Sequence, residues 1–147
     1  MAKIAVIGIC GNSLFLHTDH FHESGETIVA DSVYEEIGGK GINQAVAAAR
    51  MGAEVSFLAA VGDDRDGQAC IWLAETEGLK GNFCVKEGER TTFAFILTDK
   101  YGENQVTGYH GAELTVADVV AFENEIAASD ILLLQQEVPY EIGRAHV

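Results

Sequence analysis

The sequence is poor in several residue types, and each shortage argues against a class of protein. It has one proline in 147 residues and no low-complexity stretch, so a disordered chain is not expected. Its three cysteines, Cys10, Cys70 and Cys84, are odd in number and form no C-x-x-C pattern. This argues against a disulfide scaffold or a cysteine zinc site and favours a reducing, cytoplasmic location. Nine Lys and Arg stand against 23 Asp and Glu, and the net charge of −14 argues against a nucleic-acid partner.

Long apolar runs are also lacking. The run over residues 4–9 is too short for the apolar segment of a secretory signal. No run approaches the roughly 20 apolar residues of a membrane helix, so we expect no membrane partner. With 48% hydrophobic residues, the chain is long enough to bury the core of one domain.

Short apolar runs alternate with helical patterns along the chain. Thr115 is expected to cap the third helix, with Asp118 completing a capping box. Alternating buried strands and helices indicate βαβ units, so the predicted fold class is α/β with a mostly parallel sheet flanked by helices. The predicted strands cover residues 4–9, 54–61, 83–85 and 131–134, and the predicted helices cover 42–51, 63–77 and 115–126.

Two polar segments do not fit this alternation. Residues 14–37 alternate polar and apolar side chains, break at Gly25 and read as extended again over 27–34. Residues 91–110 hold two extended runs, 92–98 and 105–109, around a polar turn. Each segment is predicted to form a half-exposed hairpin, and the two hairpins together a flap that stands off the main sheet.

The turn Gly38-Gly39-Lys40-Gly41-Ile42-Asn43 is the first candidate for a binding site. Paired glycines let the backbone approach a ligand, and the helix that begins there directs free N–H groups outward. Asn43 adds a donor and an acceptor in the first turn. A turn whose glycines serve backbone geometry alone explains the same string. It is not a Walker A loop, because Gly41 follows Lys40 where Ser or Thr is needed.

Glu137 follows the last predicted strand. Ligands of open α/β sheets gather outside the carboxyl ends of strands, so this carboxylate is placed to accept ligand hydroxyls. An exposed loop glutamate is the alternative. Asp63 and Asp64 follow an earlier strand in the same way, and a helix cap accounts for them.

Three histidines lie close together in the first polar segment: His17, His20 and His22, with Asp19 among them. On a strand, His20 and His22 share a face and could approach one metal ion. A polar exposed hairpin explains them equally well, and no recognisable spacing supplies a third ligand. We therefore assign no metal site.

Taken in order, these segments resemble the ribokinase-like (PfkB-type) carbohydrate kinases over about residues 4–139. The most specific stretch is GGKGINQAVAAARMGAEVSFLAAVGDDRDG, residues 38–67, which is similar to the N-terminal signature of that family. The motifs Gly25-Glu26-Thr27, Gly102-Glu103-Asn104 and Gln136-Glu137-Val138-Pro139 add support. The resemblance implies a Rossmann-like domain with a β-hairpin lid. It also implies ATP- and Mg²⁺-dependent phosphorylation of a sugar or related hydroxyl compound, and it leaves open a monovalent cation and a homodimer through the lid hairpins.

The resemblance also assigns substrate-binding positions. Gly39, Lys40, Gly41 and Asn43 match positions that hold the sugar, and Glu137 matches a carboxylate that binds its hydroxyls. Gly11 and Ser13 stand where ribokinase has an Asn-x-Asp pair, so the charge-assisted bonds of that Asp are lost and D-ribose is doubtful as the substrate. Asn12 is a further candidate beside them. These are the substrate-binding residues that the sequence predicts.

The distal G-A-G-D-type motif of the family, with the catalytic base and the nearby nucleotide site, has no counterpart in this sequence. We therefore expect residues 1–140 to be the N-terminal part of a kinase domain whose C-terminal half is missing. Such a part would bind sugar, would contain no catalytic or nucleotide-binding residue, and would be inactive and poorly behaved alone. A non-catalytic sugar-binding or regulatory module, a nucleoside kinase and a 2-keto-3-deoxy-sugar kinase remain alternatives.

The last seven residues, 141–147, are expected to be non-native. Their sequence EIGRAHV is what the codons GAG ATC GGA AGA GCA CAC GTC encode, which resembles a sequencing adapter read in frame. Such a tail is left out of fold reasoning.

Overall fold

The computed structural model describes residues 1–144. Strands and helices alternate along the chain, and the strands form two sheets. The strands are β1 (Lys3–Ile7), β2 (Gly11–His17), β3 (Ser32–Gly38), β4 (Glu54–Gly62), β5 (Lys80–Lys86), β6 (Thr92–Thr98), β7 (Asn104–Tyr109) and β8 (Ile131–Leu134), and the helices are α1 (Lys40–Arg50), α2 (Arg65–Thr76), α3 (Val116–Ala121), α4 (Glu123–Ala127) and α5 (Tyr140–Arg144).

The main sheet has the strand order β5-β4-β1-β8, and its three pairings are parallel. Its central strand β1 is apolar without alternation because it is buried on both faces. Val6 packs into one core cluster with α1 and α2, while Ala5 and Ile7 pack into the opposite cluster with α3 and α5. The predicted mostly parallel sheet flanked by helices is confirmed.

The second sheet, which we call the lid sheet, has the order β3-β2-β6-β7. β2 pairs antiparallel with β3, β6 pairs antiparallel with β7, and β2 pairs parallel with β6. The two predicted hairpins are thus joined edge to edge in one sheet. β5 and β6 follow each other in sequence but lie in different sheets.

Several predicted strand limits were wrong. β1 ends at Ile7 rather than residue 9, and β2 begins at Gly11 rather than residue 14. The second extended run is 32–38 and not 27–34, because Gly38 pairs with Gly11 at the base of the hairpin and sets the register from there. β5 is longer than predicted, since it pairs with β4 over residues 80–86.

The helix ends follow their capping residues. Asp64 caps α2 as predicted, accepting from the Gly67 N–H at 2.8 Å, so the helix starts at Arg65 rather than at residue 63. The capping box of Thr115 and Asp118 is confirmed. The third helix, predicted as continuous to residue 126, is interrupted at Phe122 (φ −99°, ψ 4°), whose ring is buried. No helix in the described part of the chain is long and apolar enough to span a membrane.

The boundary of the kinase segment at residue 140 and the non-native tail stay predictions. α5 is helical and its Ile142 is fully buried beside Ala5 and Leu58. Residues 145–147 of the predicted tail lie outside the described residues.

Candidate functional site

A cavity of about 360 Å³ lies between the lid sheet and the start of α1. That size falls in the range of small-molecule sites. We call it the cleft. Its walls are one face of β2, β3 and β6, the glycine turn that leads into α1, and the segment after β8. The lining residues are Ile9, Ser13, Phe15, Glu36, Ile37, Gly38, Gly39, Lys40, Asn43, Ala94, Ile96 and Glu137.

β2 and β6 each contribute alternate residues to the cleft, and β3 contributes the consecutive residues Glu36, Ile37 and Gly38. Ser13 is paired with Glu36 on β3, and Phe15 is paired with Tyr34. The Phe15 and Tyr34 rings stack with centroids 4.6 Å apart, so this face of the two strands is continuous. Because side chains alternate along a strand, Ser13, Phe15 and Glu36 point toward the same side.

The glycine turn brings α1 against the end of β1. Gly39 has φ 113° and acts as the N-cap without a side-chain bond. A Cβ on Gly41 would lie 2.6 Å from the Gly8 carbonyl carbon, which is backbone and cannot move aside alone. The Ile42 N–H donates to the Ile9 carbonyl at 3.2 Å, so this helix-start amide is used within the chain. Among the described residues, the amides of Lys40 and Gly41 donate to no backbone carbonyl, as is usual in the first turn of a helix.

Glu137 lies at the opposite wall, where its carboxylate has two different environments. Oε1 forms an ion pair with Lys40 Nζ. Oε2 is buried and has no hydrogen-bond partner among the described residues. A buried acceptor without a donor costs about 1–3 kcal/mol, so a ligand hydroxyl that donated to Oε2 would remove this penalty.

Comparison with known proteins identifies the family. The family described as pfkB family carbohydrate kinase matches residues 1–145. The chain belongs to the pfkB family of carbohydrate kinases. Ribokinase of Bacillus subtilis (strain 168) is 36% identical over 145 residues, which are 96% of this chain and 49% of that protein. The chain therefore spans about half the length of the curated relatives it matches.

Solved structures of this family share the fold. Ribokinase from Giardia lamblia matches with a TM-score of 0.89 at 26% identity, covering 98% of this chain and 47% of that one. Arabidopsis thaliana ribokinase, solved with ribose and ATP, matches with a TM-score of 0.75 at 25% identity, covering 99% of this chain and 50% of that one. The resemblance to ribokinase-like kinases and the Rossmann-like fold with its lid are thereby confirmed.

Five of the seven predicted substrate-binding positions of this pfkB chain line the cleft: Ser13, Gly39, Lys40, Asn43 and Glu137. Gly41 can offer only its amide, since its Cα packs on Gly8. Gly11 does not line the cleft, because it packs so closely on β6 that a Cβ would lie 2.8 Å from the Thr92 carbonyl carbon.

The sequence suggested Asn12 as a further residue of the cleft, but Asn12 does not line it. Its side chain points to the other face of β2, where Nδ2 donates to Asp66 at 3.1 Å and to Glu35 at 3.4 Å. The residue is only 6% exposed. Asn12 therefore holds the lid sheet against α2, and its orientation follows from the alternation that turns Ser13 toward the cleft.

Glu36 and the apolar wall formed by Phe15, Ala94 and Ile96 were not predicted from the sequence. Strand alternation around Ser13 was the available signal for Phe15. Glu36 and the β6 residues could be placed only once the pairing of β2 with both of its neighbours was known.

The histidines do not share a strand face, because β2 ends at His17. His17 Nδ1 lies 3.3 Å from Thr98 Oγ1. His20 lies in the following loop between Glu26 at 3.1 Å and Asp19 at 3.3 Å, and these bonds, first that to Glu26, raise its pKa. The described residues contain no group of three or more His, Cys, Asp or Glu that could hold a metal ion.

Proposed function

We propose that the protein to which this chain belongs transfers a phosphoryl group from ATP to a hydroxyl of a sugar or related compound. In this proposal, the chain supplies the sugar-binding cleft and the lid. The observation that carries it is the cleft itself, where Lys40, Asn43 and Glu137 converge beneath the lid sheet. The Arabidopsis thaliana relative was solved with ribose and ATP, which supports a sugar and a nucleotide as the two ligands.

The cleft offers complementary groups for a polyhydroxylated ligand. Glu137 Oε2 accepts from one hydroxyl, while Lys40 keeps the carboxylate in place through the ion pair with Oε1. The amides at the start of α1 donate to ligand oxygens, and Asn43 both donates and accepts. Phe15 and Ile96 form an apolar wall against the carbon skeleton of a sugar ring.

Phosphoryl transfer further needs groups that position the γ-phosphate and stabilise its charge. The cleft contains one cationic side chain, Lys40, which already pairs with Glu137. The described residues also contain no cluster suited to Mg²⁺. We propose that the groups for ATP, Mg²⁺ and the catalytic base lie outside these residues, and we expect the 147-residue chain to bind sugar without turnover.

Two measurements test the function. The gene product obtained by reading the source locus past codon 147 is assayed for ADP release with a panel of sugars, and the 147-residue chain is titrated with the same sugars without ATP. Asn43→Ala and Glu137→Gln should each weaken sugar binding about tenfold, since each loses a polar contact of about 1–3 kcal/mol. Gln68→Ala, an exposed change on α2, is the matched control.

The outcomes separate the candidates. ADP release that depends on one sugar supports the kinase. Sugar binding without turnover by the complete gene product favours a non-catalytic sugar-binding or regulatory module instead. The absence of both binding and turnover contradicts the proposed function.

We also propose that the lid sheet pairs with a second copy of the protein. Among the described residues, both of its outer strands, β3 and β7, are free edges, and they expose Val33 (61%) and Val106 (58%). Exposed edges with apolar side chains favour strand pairing, and lysine on an edge opposes it. Sedimentation velocity of the complete gene product should show a dimer, and Val33→Lys or Val106→Lys should each weaken the association of the two copies. Val29→Lys, at a loop valine that is even more exposed (89%), should leave the dimer unchanged, and a wild-type monomer at all concentrations contradicts the proposal.

A further inference from the structure

Glu36 lies in the cleft at a position that the sequence did not single out. It is directly opposite Ser13 in the antiparallel pair of β2 and β3, and both residues line the cavity. Directly opposed residues of an antiparallel pair have Cβ atoms about 4.5–5.5 Å apart. A ligand group that reaches Ser13 therefore also comes within reach of the Glu36 carboxylate.

The Glu36 carboxylate is not used by the fold. Within the described residues it takes part in no hydrogen bond and no ion pair, and it is exposed to the cleft and to solvent. Its neighbour Glu35 on the opposite face of β3 lies 3.4 Å from Asn12 and 3.5 Å from Arg65. Glu35 thus serves the contact between the lid sheet and α2, and Glu36 is left free for a ligand.

Glu36 gives the side chains that line the cleft an excess of negative charge. The lining contains two carboxylates, Glu36 and Glu137, and one ammonium, Lys40. Because Lys40 pairs with Glu137, the charge of Glu36 has no counterion among the lining residues. Hydroxyl and ammonium groups bind such a carboxylate through charge-assisted hydrogen bonds, whereas an acidic group nearby is repelled.

We propose that Glu36 is a specificity-determining residue of the cleft, which binds a hydroxyl or amino group of the sugar beside Ser13 and disfavours acidic sugars. The inference rests on the proposed function. It also gives the Ser13 side of the cleft a carboxylate that Ser13 cannot supply. Neutral and amino sugars match the charge of Glu36, whereas 2-keto-3-deoxy aldonic acids do not.

The test uses the complete gene product and compares its neutral sugar substrate with 2-keto-3-deoxygluconate as the acidic probe. Glu36→Gln should raise KM for the neutral sugar about tenfold, with a smaller change in kcat, because a hydrogen bond to a charged group is lost. The same variant should not weaken binding of the acidic probe, so the ratio of the two kcat/KM values moves toward the acid. Glu35→Gln removes the same charge from the same strand on the opposite face and should leave that ratio unchanged.

Moving the carboxylate from position 36 to the directly opposed position 13 provides a second test. Ser13→Asp should restore part of the neutral-sugar affinity to Glu36→Ala, because the two positions are directly opposed. In the presence of Glu36, Ser13→Asp should instead lower stability, because like charges directly opposite are unfavourable.

Three results would overturn the inference. The first is a wild-type preference for the acidic probe. The second is a Glu36→Gln variant indistinguishable from Glu35→Gln, in a protein that still phosphorylates neutral sugars, which leaves the proposed function intact. The third is a wild-type protein that binds no sugar, which removes the proposed function and this inference together.

Discussion

Gly41 is a residue at which folding and proposed ligand binding depend on the same atoms. Its Cα packs on Gly8, and its amide is one of the two at the start of α1 that donate to no backbone carbonyl among the described residues. A Cβ there would lie 2.6 Å from the Gly8 carbonyl carbon and 2.8 Å from the Ile9 amide nitrogen, so α1 or the end of β1 must shift. We predict that Gly41→Ala lowers the free energy of unfolding by about 1–3 kcal/mol, as overpacking does, and weakens sugar binding.

Gly108 provides the control for this substitution. It lies in β7 at an ordinary backbone conformation, and no atom lies within 4 Å of a Cβ built there. Gly108→Ala should change the unfolding free energy by less than about 0.5 kcal/mol in urea denaturation. Equal effects of the two substitutions would show that close packing at Gly41 does not matter.

The sequence predicted cleft positions that depend on local order alone, while the ligand roles of these residues stay predictions. Lys40 and Asn43 could be placed because a glycine turn followed by a helix fixes their positions within a few residues. Glu137 could be placed because a carboxylate just after a strand lies at the ligand edge of the sheet. Glu36 and Asn12 could not, because the face on which each lies depends on a strand register set by the distant pair Gly11–Gly38.

An ion pair connects α3 to β5 of the main sheet. Lys86 at the end of β5 lies 2.7 Å from Asp118, which also accepts from the Thr115 backbone N–H and hydroxyl. Burial raises the pKa of Asp118, but the hydrogen bonds from Lys86 and Thr115 outweigh it and lower the pKa to about 2. The capping box was predictable from Thr115 and Asp118, whereas Lys86 is 32 residues away in the sequence and was not.

This ion pair predicts how stability depends on pH. Because the pKa of Asp118 is lower in the folded state than its ordinary value of 3.8, its contribution is fully present above about pH 5. The contribution is lost as the pH falls toward 2, and it amounts to about 2 kcal/mol. Asp118→Asn should therefore flatten the decrease of unfolding free energy between pH 5 and 2, measured by urea titration. Glu123→Gln, a nearby helix carboxylate, should not, and equal slopes for Asp118→Asn and the wild type would contradict the role of the pair.

The pairing of the two lid hairpins could not be predicted from the sequence. Each hairpin was expected from its alternation and its turn, but the parallel pair of β2 with β6 joins residues about 80 apart in sequence. No local pattern specifies a pairing over that distance. The sequence thus predicted two hairpins that form one flap, but not the parallel pairing of β2 with β6 that joins them in a single sheet.

The main sheet ends at β8 in an exposed edge strand. Within residues 1–144, β8 pairs with β1 on one side only, and it exposes Ile131 (48%) and Leu134 (39%). Unpaired backbone groups beside apolar side chains are a template for pairing with another chain. We predict that the 147-residue chain self-associates beyond a dimer at micromolar concentration and unfolds over a broad thermal transition.

Leu134→Lys tests the origin of that self-association, because a lysine on an edge strand opposes strand pairing while leaving the β1 contacts of the backbone in place. The variant should reduce large species in light scattering and leave the proposed lid dimer, since β3 and β7 are unchanged. Met51→Lys adds the same charge at an 88% exposed position after α1 and should not reduce them. A sharp, cooperative thermal transition of a monomeric wild-type chain would contradict the prediction. It would show that the exposed β8 edge causes neither self-association nor a broad transition.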